Sequence, residues 1–314
     1  MKKCDIYFTG SNRSFVSSIL LYSLIIFTKK NTRFNVKYII NTDLFFSFNQ
    51  NNFFYKLKNK IKYIIYFFFK KKYFYIEKLI NKEFDEKKCI IDQAKNSNIK
   101  YAQFSNFNEK IDKKSSILIN GGGIKIFKKK FLNKFNICIN YHNAELPRFR
   151  GSNSNSFSLF YNKLNTYFSL HYINSKIDRG YVFYKHKIKI NKKIKHHLFY
   201  DILKIKTASK NIEKIITKSF KKRKNKFSSL KKGGYYPLKY YENFFLKINQ
   251  FSFKEIIKYI DIFGGIYYMG NFVTSIKKSD TGILLKDCKI KITQIKYFPV
   301  YIYKLLIFLS LIKP

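Results

Sequence analysis

The chain has 314 residues, 46% of them hydrophobic, which is enough apolar sequence to bury a sizeable core and excludes wholesale disorder. This length suggests one large or two modest domains. The net charge is +45, from 63 Lys and Arg against 18 Asp and Glu, and on its own such a charge favours nucleic acid, an anionic membrane surface or a polyanionic substrate as partner.

Compositional bias accounts for most of this charge. Residues that A and T alone can encode are abundant, with 35 Phe and 26 Tyr, whereas there are 12 Gly, 4 Pro and no Trp. Lys far outnumbers Arg, although Arg is the better bidentate ligand for phosphate. We therefore interpret the charge mainly as solvated surface encoded by an AT-rich genome. A dedicated nucleic-acid footprint is the alternative.

The four cysteines are widely spaced and form no Cys-x-x-Cys pair. This spacing argues against a zinc site or a disulfide framework, and it favours buried thiols in a reducing compartment. We accordingly expect a cytoplasmic protein. The cysteines are Cys4, Cys89, Cys138 and Cys288.

Two apolar segments raise the question of membrane contact. The run at 15–27 is too short to span a bilayer and follows a strand-like segment, so it predicts a buried helix. The tail at 298–312 is also short and contains Lys304. We expect it to form a docking helix, with contact to a membrane surface as the alternative, and we expect no stable membrane insertion.

The first segments predict the start of an α/β sheet. "CDIYFTGSNRS" is typical of a strand, a turn and a helix cap, followed by a helix at 15–29 and a second strand at 33–41. This order favours parallel strands joined by a right-handed crossover. The turn contains only Gly10 and lacks the Gly-x-Gly-x-x-Gly pattern, so it does not indicate a dinucleotide site.

The alternation of strands and helices continues after a lysine- and aromatic-rich segment at 44–87, which we expect to be helical. Gly121, Gly122 and Gly123 follow an apolar run, which predicts a loop at the carboxyl end of a strand, where ligands bind in such sheets. The chain is thus expected to form an open, mostly parallel, Rossmann-like sheet with helices on both faces.

The pattern changes after residue 190. Helical periodicity is followed by a basic break at 221–234, the best linker candidate. We expect a catalytic domain at 1–190, a helical connector at 191–230 and a small α+β module at 231–314.

"NICINYHNAELPRFRGSN", residues 136–153, departs from the compositional bias. Side chains two apart on a strand share a face, so Asn140 and His142 are expected to project together at the sheet edge. An amide can donate to a developing oxyanion, and an imidazole can exchange a proton near neutral pH. Asp178, on a turn downstream, is a carboxylate able to orient His142. A structural role for this histidine is the alternative.

These residues resemble the folate-dependent formyltransferase family. Its signature reads Asn-x-His, then Leu-Pro-x-x-Arg-Gly, then His-x-x-x-x-x-x-Asp-x-Gly, and the interval from His142 to Asp178 matches the family's. The resemblance covers residues 1–190, and 253–271 weakly. The matching positions are Asn140, His142, Leu146, Pro147, Arg150, Gly151, His171, Asp178 and Gly180.

The resemblance implies transfer of a formyl group from 10-formyltetrahydrofolate to a primary amine, without a metal. Asn140 would hold the formyl oxygen, His142 would act as acid and base, and Asp178 would govern the protonation of His142. The loops that would present backbone groups to the pterin contain Gly121, Gly122, Gly123 and Ile124 in one case, and Ser175, Lys176 and Ile177 in the other.

The acceptor amine is less closely defined. The polar residues after Arg150 and Gly151 resemble the sequence of formyltransferases that act on amino sugars of nucleotide carriers. The methionyl-tRNA branch usually has a different sequence at these positions. Glu145 replaces an aliphatic residue of the family and either meets the substrate amine or lies in solvent. The tRNA substrate and a non-catalytic binding protein are the alternatives, and a homodimer is left open.

Overall fold

The computed structural model describes residues 3–12, 14–43, 74–123, 125–191, 193–222, 225, 233–237, 252–263, 266–268, 271–284 and 291–299. Its helices are α1 (Phe15–Lys30), α2 (Phe74–Lys87), α3 (Ile90–Asn96), α4 (Lys129–Leu132), α5 (Ser154–Tyr161), α6 (His197–Lys210), α7 (Ile212–Lys221) and α8 (Phe253–Phe263). Its strands are β1 (Cys4–Gly10), β2 (Phe34–Asn41), β3 (Lys100–Gln103), β4 (Ser116–Asn120), β5 (Ile137–His142), β6 (Phe149–Arg150), β7 (Asn165–Tyr172), β8 (Val182–Lys189), β9 (Gly234–Tyr235), β10 (Ile266–Tyr268), β11 (Asn271–Leu284) and β12 (Lys291–Pro299).

Seven strands form one sheet in the order β3-β2-β1-β4-β5-β7-β8. The first five strands run parallel, and β7 and β8 complete the sheet as antiparallel strands. The strand order reverses between β1 and β4, and open α/β sheets bind ligands at the carboxyl ends of the strands beside such a switch point. The predicted mostly parallel α/β sheet is confirmed, and it brings the ends of β1, β4 and β5 to one edge.

Alternating residues of β1 show how both faces of the sheet are covered. Ile6 and Phe8 lie in the main core, together with residues of α1, α3, α6 and α7. Tyr7 faces the other way and packs with Leu118 and Phe135 in a second core. All three β1 side chains are fully buried. Helices therefore cover both faces, as the sequence predicted.

Helix α1 is the apolar run that the sequence assigned to a buried helix, and that prediction is confirmed. Its first turn is capped by Ser14, whose side chain accepts a hydrogen bond from the Ser17 N–H, and Lys29 and Lys30 lie in its last turn, where the helix dipole favours cations. Leu24 is fully buried in the main core. No helix among the described residues has the length and apolar character needed to cross a bilayer.

The segment after residue 190 packs on the same core. The Tyr200 hydroxyl accepts from the Asn191 N–H at 2.7 Å and donates to the Ile194 carbonyl at 2.8 Å, which ties α6 to the end of the sheet. Residues of α6, α7 and α8 all belong to the main core. The strands β10, β11 and β12 form a separate antiparallel sheet, so this part of the chain has the expected α+β composition.

Several expectations fall on residues outside the described ranges. These are the helical segment before residue 74, most of the linker candidate at 221–234, and all but two residues of the apolar tail at 298–312. The bounds of the three predicted segments stay predictions.

Leu24→Ala should lower the free energy of unfolding by about 2–5 kcal/mol, because it removes a fully buried side chain and leaves a cavity in the main core. Leu164→Ala is the matched control, since Leu164 is 64% exposed, and it should change stability by less than about 0.5 kcal/mol. Urea denaturation measures both values. Equal effects of the two substitutions would contradict the assigned core.

Candidate active site

A row of polar side chains crosses the four central strands at the carboxyl edge of the sheet. Thr9, Asn120, Asn140 and His171, called the polar row below, lie directly opposite one another on β1, β4, β5 and β7. Thr9, Asn120 and Asn140 each follow a buried apolar residue of their own strand. The strand register alone therefore places the predicted Asn140 between two further hydrogen-bonding residues.

Hydrogen bonds run along the polar row in one direction. The Thr9 hydroxyl donates to Asn120 Oδ1 at 3.0 Å, and Asn120 Nδ2 donates to Asn140 Oδ1 at 2.7 Å. Asn140 Nδ2 then lies 3.0 Å from His171 Nε2, and His171 Nδ1 lies 2.9 Å from the Tyr172 carbonyl. The carbonyl can only accept, so His171 Nδ1 carries the proton and Nε2 accepts from Asn140.

The row fixes the orientation of the Asn140 amide. Its oxygen accepts from Asn120, and one of its two N–H groups donates to His171. An amide nitrogen carries two hydrogens, which leaves a second N–H for another acceptor at the sheet edge. Asn140 can therefore present a donor of fixed direction.

His142 follows two residues later at the end of β5, and its side chain is 7% exposed. Its Nε2 lies 2.7 Å from the Phe149 carbonyl, so this nitrogen carries the proton and donates. In the neutral ring, Nδ1 then holds the lone pair. The carbonyl thus selects which nitrogen of His142 is available to accept a proton.

Asp178 lies between the two histidines. Its Oδ1 is 3.6 Å from His142 Nδ1 and 3.5 Å from His171 Nε2, and the two rings have centroids 6.2 Å apart in an edge-to-face arrangement. Its Oδ2 accepts from the Gly151 N–H at 2.8 Å. The predicted set of Asn140, His142 and Asp178 is therefore brought together.

Burial and charge set the protonation of this group. Burial lowers the pKa of His142, an effect that the charge of Asp178 opposes and that His171 reinforces. Burial also disfavours the charged form of Asp178, but His142, His171 and the Gly151 N–H outweigh it and hold the pKa of Asp178 well below its usual range. A neutral imidazole beside a carboxylate is the expected resting state. Among the described residues, no group of three or more His, Cys, Asp or Glu side chains is arranged to hold a metal ion.

The predicted glycine loop lies at the same edge, directly after Asn120. A Cβ on Gly123 would lie 2.8 Å from Asn120 Oδ1 and 2.8 Å from Thr42 Oγ1, so a side chain there would disturb the polar row. Gly121 and Gly122 lie between this position and β4, whereas Ile124 lies outside the described residues. The predicted loop at the carboxyl end of a strand is therefore present, and its backbone packs closely against the polar row.

The second predicted loop is exposed beside the carboxylate. Ser175, Lys176 and Ile177 are all exposed, and Ile177 is 39% exposed. They precede Asp178, whose φ of 51° places it in the left-handed region. The loop therefore offers accessible backbone next to the buried group.

The three predicted substrate-contacting residues have partners within the protein. Arg150 is 9% exposed and donates to the Gly233 carbonyl at 2.7 Å, and Glu145 forms an ion pair with Lys185 at 2.9 Å. Gly151 has a φ of +93° and bonds to Asp178, and a Cβ there would lie 2.6 Å from the Tyr236 carbonyl. The Arg-Gly pair thus locks the loop onto the carboxylate.

Residues 70–212 match the formyl transferase family. This segment is similar to formyl transferases, which confirms the predicted resemblance, and it contains Asn140, His142 and Asp178. A comparison with curated protein sequences finds no match.

Solved structures with this fold include the N-formyltransferase from Helicobacter canadensis in complex with folinic acid and dTDP-3-aminofucose. It is 16% identical with a TM-score of 0.54, covering 94% of this chain and 100% of that one. WlaRD, a sugar 3N-formyl transferase in the presence of dTDP and 5-N-formyl-THF, is 17% identical with a TM-score of 0.52, covering 90% and 89%. The methionyl-tRNA formyltransferase from Clostridium thermocellum is 15% identical with a TM-score of 0.45, covering 94% and 99%. At these identities the first two comparisons establish the fold alone.

Sequence reasoning did not assign three members of the polar row. Thr9 and Asn120 each stand at or near the end of an apolar strand of the seven-stranded sheet, as Asn140 does, and that shared position is the signal that would have found them. His171 belongs to the quoted motif, but its bond to Asn140 depends on the antiparallel register of β5 and β7. The Phe149 carbonyl, which orients His142, gives no signal in the sequence because it is backbone.

Asp178→Asn should lower the free energy of unfolding at pH 7 by about 1–3 kcal/mol, because it removes the charge from a buried hydrogen-bonded acceptor. The folded-state pKa of Asp178 is depressed, so the stability it contributes is present above the unfolded pKa of about 3.9 and is lost as the pH falls below that value. The difference between the two proteins should therefore shrink below about pH 4. Urea denaturation from pH 3 to 8 measures it, and a difference that does not vary with pH would contradict the assigned charge.

Proposed function

We propose that the protein transfers a formyl group from 10-formyltetrahydrofolate to the amino group of a nucleotide-linked amino sugar. The observation that carries the proposal is the grouping of an oriented amide, a neutral imidazole and a carboxylate at the carboxyl edge of a formyl transferase domain. The residues at 1–190 are proposed as the catalytic domain.

Asn140 is the proposed oxyanion donor. When an amine adds to the formyl carbon, negative charge develops on the formyl oxygen. The second N–H of the Asn140 amide stabilises that charge, and the bonds to Asn120 and His171 mean that the amide does not reorient during the reaction. A donor fixed before the reaction stabilises the transition state without a reorganisation cost.

His142 is the proposed general base and acid. Its Nδ1 accepts the proton that the attacking amine loses, and it later returns a proton to the departing folate nitrogen. The Phe149 carbonyl keeps the other nitrogen protonated, so Nδ1 is always the reactive atom. Burial favours the neutral ring, which is the form able to accept a proton.

Asp178 is the proposed stabiliser of the imidazolium. Its carboxylate is ionised and faces His142 Nδ1, so it favours the charged ring once the proton has arrived. The Gly151 N–H holds the other carboxylate oxygen, which fixes the direction from which the charge acts. The carboxylate therefore works through His142.

The residues at this edge fit a folate cosubstrate, which supplies the activated formyl group. Ser175, Lys176 and Ile177 are exposed beside Asp178, and Gly123 lies beside the polar row. We propose that these two loops, with Gly121 and Gly122, present backbone groups to the pterin. Two of the structures with this fold contain folinic acid or 5-N-formyl-THF, which supports this assignment.

The amino sugar is the proposed acceptor for two reasons. The polar sequence "RGSNSNSF" resembles the sugar branch. A sugar 3N-formyl transferase and an N-formyltransferase in complex with dTDP-3-aminofucose share the fold over 90% or more of this chain. We propose that Glu145, Arg150 and Gly151 border the acceptor. In this role Glu145 exchanges its ion pair with Lys185 for the substrate amine.

His142→Ala should lower kcat for formyl transfer by about 10²–10⁴-fold, because the proton acceptor is lost. His186→Ala is the control, since the His186 ring stacks on Phe168 outside the site, and it should leave kcat within about twofold. Folate-dependent turnover measures both. Undiminished activity of His142→Ala would refute the assignment of the base, and no turnover of the native protein on any amine would leave the binding-protein alternative.

The pH dependence of kcat/KM should show an acid limb with a midpoint below about 6.5, the value of an unperturbed histidine. The reason is that His142 must be neutral to accept a proton, and burial lowers its pKa. Initial rates from pH 5 to 9 measure the limb. A limb above 6.5 would contradict the assigned environment.

Amino sugars linked to dTDP or UDP should be formylated in a panel that also contains methionyl-tRNA and glycinamide ribonucleotide. Product mass measures the transfer, and the added formyl group identifies the acceptor. Glu145→Gln should raise KM for the preferred sugar by about tenfold, because the charged contact to the amine is lost. Formylation of methionyl-tRNA alone would overturn the choice of acceptor.

A further inference from the structure

A cluster of buried and partly buried polar side chains surrounds the residues that flank His142 in the chain. It consists of Tyr141, Asn143, Asn155, Asp201 and Lys204, called the lysine cluster below. Lys204 and Tyr141 are at most 5% exposed, although a lysine is rarely found in such surroundings without a carboxylate partner or several acceptors. The proposed reaction does not use any member of this cluster.

Two acceptors hold the Lys204 ammonium. It donates to the Asn143 carbonyl at 2.8 Å and to Asn155 Oδ1. Asn155 Nδ2 in turn donates to Asp201 Oδ1 at 2.5 Å, so the amide links the buried cation to the carboxylate. The charge of Lys204 is thus balanced through a neighbour on α5 and a carboxylate on its own helix α6.

These bonds fix the backbone on both sides of His142. Lys204 holds the carbonyl of Asn143, the residue that follows His142, and Asp201 holds its side-chain amide. The Tyr141 hydroxyl, on the residue that precedes His142, donates to Asn143 Oδ1 at 3.2 Å. A shift of the cluster would therefore move the imidazole relative to Asp178.

Three structural elements carry charged or titratable groups that act on His142. Asp178 faces it from the loop after β7 and favours the imidazolium, whereas His171 on β7 and Lys204 on α6 disfavour it. Burial lowers the pKa of Lys204 to about 7, and Asp201 opposes that shift. Lys204 is consequently protonated in the acidic range where His142 titrates.

We propose that Lys204 is a positioning residue for His142, because its ammonium fixes the backbone that carries the imidazole and its charge favours the neutral imidazole. The inference rests on the proposed role of His142 as the base. It assigns a chemical task to a lysine that lies outside the reacting group, and it explains why a cation is buried on α6.

Lys204→Met keeps the length of the side chain but removes the charge and the donors. We expect the acid limb of kcat/KM to move to higher pH by about half a unit or more, because the imidazolium loses a repelling charge. We expect kcat to fall about tenfold as the backbone after His142 loses its anchor. Lys206→Met is the matched control, since Lys206 lies two residues further on α6, is 47% exposed and pairs with Glu83, and it should leave the limb and kcat unchanged.

Asp201→Asn provides a second test and keeps the oxygen that accepts from Asn143 and Asn155. It removes the carboxylate that opposes the lowering of the Lys204 pKa, so Lys204 is less protonated and the acid limb should move to higher pH, in the same direction as in Lys204→Met. If Lys204→Met does not fold, this isosteric variant still tests the proposed role of Lys204. A folded variant of either kind in which the acid limb of kcat/KM does not move would overturn the proposal. This holds even if kcat falls, because a loss of kcat alone indicates a structural role.

NMR titration of histidine-labelled protein gives the same comparison without turnover. His142 is assigned among the five histidines by its absence from His142→Gln. The midpoint of its titration should rise both in Lys204→Met and in Asp201→Asn. Shifts without formyl transfer would support the inference and refute the proposed function, whereas formyl transfer without shifts would do the reverse.

Discussion

The site depends on one row of hydrogen bonds across the middle of the sheet. Thr9, Asn120, Asn140 and His171 come from four strands, and each donates to the next. Buried polar groups without partners cost about 1–3 kcal/mol each, so a shift of register on any of these strands would carry a penalty at this level. The row therefore both aligns the strands at the edge and orients the Asn140 amide.

The carboxylate side of the site is held by the loops rather than by the sheet. Asp178 accepts a hydrogen bond from the Gly151 N–H. The preceding residue, Arg150, donates from its side chain to the Gly233 carbonyl. The Phe149 carbonyl, one residue earlier, orients His142. One short stretch, Phe149–Gly151, thus sets the tautomer of the imidazole and the direction of the carboxylate together.

Burial lowers the pKa of His142 and acts to raise the pKa of Asp178. The neighbouring groups outweigh burial only at Asp178. For His142, burial prevails and the ring is neutral, whereas for Asp178 the neighbouring donors prevail and the carboxyl is charged. This separation is what a proton acceptor with an electrostatic stabiliser requires. The charge of the buried Lys204 on α6 also lowers the pKa of His142, so that pKa depends on the sheet, the loops and helix α6.

The sequence by itself determined the sheet, the order of its first strands and the position of Asn140, His142 and Asp178. It did so because strand and helix periodicity is local and because the motif residues stand apart from the biased composition. It did not determine that Asn120 bonds to Asn140 or that His171 lies between Asn140 and Asp178. Nor did it determine that Lys204 bonds to the carbonyl of the residue after His142. Those contacts join residues far apart in the chain, and only the register of neighbouring strands and the packing of α6 bring them together.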